Sequence, residues 1–211
     1  RATVVATTAA LENAPLDLER ATTRLRDDLG KAMRRLGGSE VPAVGAALDR
    51  FALVLCDQRL RERLLAAAAQ PTGLRSVAKD YARAHHRLGG PGGPGAAGDA
   101  SDQASEIEEL CVLLGDARLL RPGGVWIADR IGAFMAIAAV ARGASALVAG
   151  DAVSPAAIAI ARAARLPTVS DVPGLFGWVR PDDLLAVDGD AGAVLVQPPA
   201  ADIERVRRAA R

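Results

Sequence analysis

The chain has 211 residues, half of them apolar and only 3% aromatic, with 26 Lys and Arg against 25 Asp and Glu. That length suits one large domain or two small ones, and the core must be built from Ala, Val, Leu and Ile. Nearly cancelling charge argues against a dedicated nucleic-acid or anionic-membrane surface, which needs a one-signed patch, so neither partner is expected.

In chain order, Ala2 to Thr8 is a short β-prone run, and from Leu16 the pattern turns helical. Leu18, Ala21, Leu25, Leu29 and Met33 recur at spacings of three and four until Gly37-Gly38 ends the helix. Val44, Ala47, Leu48, Phe51 and Leu55 continue the period, Arg59 to Ala69 predicts a further short helix, and Thr72 caps another through Leu88. Gly89 to Gly98 is a flexible loop by composition, and Ser101 opens one more helix with Ile107, Leu110, Cys111 and Leu114 on one face. The first half therefore reads as a helical bundle or pair of hairpins.

After Arg121-Pro122-Gly123-Gly124 the rhythm changes. Strands are predicted at Val125 to Ala128, Ser145 to Ala149 and Pro167 to Ser170, with helices at Ile131 to Ala141 and Ser154 to Ala164 between them. Leu184 to Val187 and Ala193 to Val196 form a hairpin around Asp188-Gly189-Asp190-Ala191-Gly192, and Ala200 to Ala210 is a terminal helix. Alternating strands and helices followed by a hairpin indicate an α/β domain with an apolar sheet covered by helices. The expected division is a helical subdomain over 1–120, with residues 1–10 lending a strand to the second unit, and an α/β domain over 121–211.

Cys56 and Cys111 stand in predicted helices without metal-type spacing and are expected as buried, reduced thiols; no metal site and no cofactor are expected. The longest apolar run, Ile131 to Ala141, is too short to span a bilayer, and no signal peptide is visible. A cytoplasmic location is the default expectation, and with Arg1 rather than Met at its start the chain is expected to be either a fragment of a longer parent or a stand-alone module.

The segment Gly150-Asp151-Ala152-Val153-Ser154-Pro155-Ala156-Ala157-Ile158, continued to Arg162 and followed by Leu166-Pro167-Thr168-Val169, has the layout of a glycine-containing loop opening a helix. Together with the strand Val125 to Ala128, Val187-Asp188-Gly189-Asp190-Ala191-Gly192-Ala193-Val194 and the exit Gln197-Pro198, it resembles the swivelling phosphohistidine domain of phosphoenolpyruvate-utilising enzymes. Upstream, Phe51 to Leu64 and Asp102 to Leu114 resemble the carrier-binding helices of Enzyme I of the sugar phosphotransferase system. The resemblance implies an α+β or α/β chain, a helical-bundle subdomain followed by a swivelling β/β/α phosphohistidine-like domain. It also implies a histidine-containing phosphocarrier protein as partner, met by a helical face that includes Phe51, Arg59, Arg63 and Arg83.

The family loop reads Gly-Gly-x-Thr-Ser-His-x-Ala-Ile, and its histidine relays phosphate from phosphoenolpyruvate to the carrier. Here Gly150, Ser154 and Ala157-Ile158 keep the pattern, Asp151 and Val153 depart from it, and Pro155 stands in the histidine position. Proline has no side-chain nitrogen, removes a backbone N–H from an anion cradle, and suits the first position of a helix capped by Ser154. Asp151 adds negative charge where an anion would bind. Arg162 matches a family arginine and equally fits a solvated helix position.

The only histidines, His85 and His86, stand at a predicted helix end, where a solvated pair is favourable with the dipole; they are weak substitutes as acceptor. Ser154 has no adjacent histidine base, and Asp188 and Asp190 read as turn formers. The leading reading is a non-catalytic, Enzyme I-like binding or regulatory module. An active phosphotransferase component with another acceptor, and a structural spacer, are the alternatives.

Overall fold

The computed structural model describes residues 2–4, 18–36, 41–47, 56–67, 76–77, 80–81, 83–84, 106, 108–110, 113 and 122–209. Phe51, His85, His86, the Gly89 to Gly98 stretch and Cys111 lie outside the described residues.

β1 (Ala2–Val4) is followed by α1 (Leu18–Arg35), a helical stretch over residues 42–47, and α2 (Gln58–Ala67). Then come β2 (Val125–Ile131), α3 (Ala133–Arg142), β3 (Ala146–Val153), α4 (Pro155–Ala163) and β4 (Thr168–Val169). A short helix α5 (Leu175–Trp178), the strands β5 (Leu185–Asp188) and β6 (Ala193–Val196), and α6 (Ala200–Ala209) complete the order. β1, β2, β3 and β4 pair in that order, all parallel, while β5 and β6 form a separate antiparallel pair.

The sheet is buried on both faces, as parallel sheets are, and the period-two alternation sorts its side chains. Trp126, Ala128, Leu147 and Ala149 point to one side, where α1, α3 and α4 pack with Leu25, Leu29, Phe134, Ile137 and Ile160. Val125, Ile127, Ala146 and Val148 point to the other, under Leu175, Val179 and Leu185 of α5 and the hairpin. The register Trp126↔Leu147 and Ile127↔Val148 keeps both sets aligned across β2 and β3.

All of Ala133–Ala141 in α3 is buried. A helix apolar all round must be covered all round. The sheet covers one side and α1 and α4 cover the rest, so one hydrophobic cluster runs from α1 through α3 to the strands. On α1 the buried stripe is Leu25, Leu29, Ala32 and Leu36; Met33, expected on it, is 48% exposed, because the 3.6-residue period carries the stripe past that position.

Several boundaries differ from expectation. Ile131 ends β2 rather than opening α3, because its carbonyl accepts the Ser154 N–H across the sheet at 2.9 Å. β3 runs on through Val153, four residues beyond the expected strand. Cys56 is exposed, not buried, because it stands just ahead of α2 and beside its capping residue Asp57. α5 fills a stretch for which no element was predicted.

The C-terminal ends of α1 and α3 are tied by charge. Arg142 reaches Asp28 through Nη2 at 2.7 Å and Nε at 2.8 Å, with side-chain exposures of only 16% and 6%. Arg35 Nη1 donates to the Val140 carbonyl at 2.6 Å, and Gly143, at φ 70°, turns the chain out of α3 in the left-handed region that glycine favours. Removing one partner of a buried pair leaves the other charge uncompensated. Asp28→Ala is expected to cost about 3–5 kcal/mol in denaturant unfolding, whereas Asp28→Leu with Arg142→Met is expected to cost much less.

Candidate functional site

The site the sequence singles out is the C-terminal end of the parallel sheet, where β3 hands over to α4. Gly150 and Asp151 are not in a loop. The register advances from Ala128↔Ala149 to Arg130↔Ala152, two residues along β2 against three along β3, so Gly150 and Asp151 together oppose Asp129. This is a β-bulge, and a glycine inside a strand pattern is its usual mark. A Cβ on Gly150 would lie 3.4 Å from the Phe176 ring and 3.5 Å from Asp129 Oδ1, so the bulge is packed from both directions.

Val153 ends the strand and Ser154 alone connects it to α4. Ser154 Oγ accepts the Ala157 N–H at 3.1 Å, with φ −65° and ψ 152°, and Pro155 is the first residue of the helix. The expectation of a cap followed by a tolerated proline is met in full. Pro155 carries neither a side-chain nucleophile nor an N–H, and the Ser154 oxygen is engaged in capping. Asp151 lies 3.9 Å from Arg130, both mostly exposed, a pair of little energetic weight. Arg162 is exposed in the last turn of α4.

One carboxylate at this end was missed by sequence reasoning. Glu109 Oε1 accepts the Gly132 N–H at 2.7 Å and Oε2 the Phe134 N–H at 3.1 Å, capping α3 from a helical stretch more than twenty residues upstream. Gly132 supplies no cap of its own, and a Cβ there would overlap the Glu109 carboxylate. Burial of the carboxyl pushes its pKa up to about 8, with Glu106 adding to the rise, against the Gly132, Phe134 and Met135 N–H groups that favour the ionised form. The readable signal was a Glu-rich helix in a chain whose most apolar helix begins with glycine instead of Ser, Thr, Asp or Asn.

Of the residues expected to meet a partner, Arg59 and Arg63 lie on α2 and Arg83 on the helical positions 83–84, while Phe51 lies outside the described residues. Asp57 Oδ1 caps α2 by accepting the Leu60 N–H at 3.0 Å, and its Oδ2 accepts the Tyr81 hydroxyl at 2.8 Å. Those two bonds, the Leu60 one foremost, hold the Asp57 pKa below its ordinary value. Arg63 and Arg83 converge on Asp80 at 3.4 and 3.8 Å, and Arg59 stands one turn before Arg63, exposed. Arg63 and Arg83 thus share one patch. Among the described residues no group of His, Cys, Asp or Glu could hold a metal, and no helix is long and apolar enough to cross a membrane.

Glu109 makes stability depend on pH. Unfolding returns its carboxyl to the ordinary value of 4.5, so between there and about 8 the native state keeps a proton that the unfolded state has released. The group's contribution is complete below pH 4.5 and is lost as pH rises through about 8. Denaturant unfolding across that range is expected to show stability falling toward alkaline pH in the parent protein, with a flatter profile in Glu109→Gln. Parallel profiles would contradict the assignment.

No family model matches the sequence, and no curated protein matches it. Among solved structures, an NMR solution structure of Enzyme I (nEIt) superposes with a TM-score of 0.52 at 16% identity, over 92% of this chain and 79% of that one. The N-terminal domain of Enzyme 1 – Nitrogen superposes with a TM-score of 0.52 at 22% identity, over 99% of this chain and 93% of that one. Identities this low speak to architecture and not to chemistry. The chain has the fold of the N-terminal domain of Enzyme I.

Proposed function

We propose that this chain is a non-catalytic, Enzyme I-like module of a phosphotransferase system, acting in the cytoplasm and, with other domains of a longer parent, as a binding or regulatory partner of a histidine-containing phosphocarrier protein. The observation that carries this reading is Pro155 at the first position of α4, capped by Ser154, in an otherwise retained architecture. A helix N-terminus favours an added anion through its dipole and free N–H groups. Proline withdraws one of those groups, and Asp151 nearby opposes an incoming phosphoryl group. The loss therefore bears on both the covalent step and the electrostatics that would support it.

The docking face in this reading is α2 with the helical positions 76–77, 80–81 and 83–84, joined in sequence to Phe51. The Asp57–Tyr81 hydrogen bond and the Arg63–Asp80–Arg83 cluster support it by fixing two segments into one surface. The division into a unit over 1–120 and one over 121–211 belongs to the same proposal, with β1 and α1 lent to the core of the second.

Titration of the labelled chain with a histidine-containing phosphocarrier protein, followed by NMR, tests the reading. Amide shifts are expected along α2 and residues 76–84, and Arg63→Ala with Arg83→Ala is expected to weaken binding about 3–10-fold. No perturbation at millimolar carrier would overturn it.

A further inference from the structure

The side of the sheet away from α1 and α2 carries a second surface that the carrier reading does not use. Among the described residues five large apolar side chains are exposed, and three of them, Phe176 at 38%, Trp178 at 59% and Leu184 at 45%, fall within nine residues. Scattered exposed apolar residues need no account, but such a concentration does. The other described tryptophan and phenylalanine, Trp126 and Phe134, are fully buried.

These side chains are held in place. Leu175, 1% exposed, anchors α5 in the core, and Val179 anchors its far end. The Phe176 ring packs over the Gly150 bulge. The Trp178 indole lies against Gly174, where a Cβ would stand 3.0 Å from Nε1. Gly177 between them opens on space, with no atom within 4 Å of where a Cβ would be. The aromatic pair is thus fixed and outward-facing, the arrangement that gives contact area at little entropic cost on binding.

The surroundings are acidic. Asp129, Asp151 and Asp171 stand at the C-terminal ends of β2, β3 and β4, all exposed, one from each neighbouring strand. Asp171 is tied to the bulge through its N–H to the Asp151 carbonyl at 3.0 Å, and the next residue, Val172, bonds the Ala149 carbonyl at 3.2 Å. Arg130, 3.9 Å from Asp151, offsets only part of that charge. Carboxylates beside outward-facing aromatic rings attract cations twice, by Coulomb forces and through the ring faces.

We propose that Phe176, Trp178 and Leu184, with Asp129, Asp151 and Asp171, form a docking surface for a cationic amphipathic segment of a partner protein. Apolar side chains of the segment would cover α5, and its Lys or Arg side chains would meet the strand-end carboxylates. The surface lies on the opposite face of the sheet from Leu60 and α2, so it is independent of the carrier reading and would remain if that reading failed.

The chain has two tryptophans, one fully buried and one largely exposed, so solvent-sensitive emission reports on Trp178. The probe is a short Leu/Lys amphipathic peptide, with a Leu/Glu peptide of equal length as control. The Leu/Lys peptide is expected to blue-shift the emission and protect it from iodide, saturably. The Asp129→Asn, Asp171→Asn double variant, in which Asn keeps the left-handed backbone at Asp171, is expected to weaken binding about tenfold. Circular dichroism of the variant is expected to match the parent, since both positions are exposed. An equal response to the Leu/Glu peptide, no response at millimolar Leu/Lys peptide, unchanged affinity in the variant, or loss of Trp178 exposure by self-association alone would each overturn the proposal.

Discussion

The fold turns on one helix that cannot face water on any side. Ala133–Ala141 is apolar throughout and built mainly from small residues, so α3 can lie close to its neighbours but must be enclosed by them. Enclosure recruits three elements at once: the Trp126–Ala128 and Leu147–Ala149 face of the sheet, α4, and α1 from far upstream. With so few aromatics, the core is made by close backbone approach and many small contacts, which dense packing of Ala and Val permits. The polar contacts then act where the apolar ones end. Arg142 with Asp28 and Arg35 with the Val140 carbonyl close one end of α3, and Glu109 closes the other.

That enclosure also decides what the sheet end can do. Because α3 must start immediately after Ile131, its N-terminal amides face Glu109, and the Ile131 carbonyl is bound to the Ser154 N–H. The start of α4 is therefore built in, with Ser154 fixed on both its backbone and its side chain. A residue at position 155 would project from a rigid helix start, a geometry suited to presenting a reactive group. In this chain proline stands there as the first residue of the helix. The other acidic groups at this end are the Glu109 carboxyl held for capping and three exposed aspartates, Asp129, Asp151 and Asp171.

Much of this was legible in the sequence, and the reasons for the rest are physical. The βαβ rhythm from Val125 to Val169, the Asp188–Gly192 turn and the Ser154-Pro155 start depend on local chemistry and appear where expected. The strand extension of β3 does not, because pairing to Arg130 and Ile131 lies in another segment and overrides the loop signal of Gly150-Asp151. Glu109 was missed for the same reason: the missing cap at Gly132 is legible, but a partner supplied from a distant helix leaves no local pattern. Exposure of Cys56 depends on where Asp57 begins α2. The short α5 lacks the length for a helical period, and its aromatics look like core residues until the structure turns them outward.

Retained architecture with an altered acceptor position is the central claim, and one phosphorylation assay addresses it most directly. The chain would be incubated with labelled phosphoenolpyruvate, a competent Enzyme I and the phosphocarrier protein, then separated from both. The account predicts no acid-labile label on this chain while the carrier is fully labelled. Acid-labile phosphate on this chain, at any residue, would contradict it.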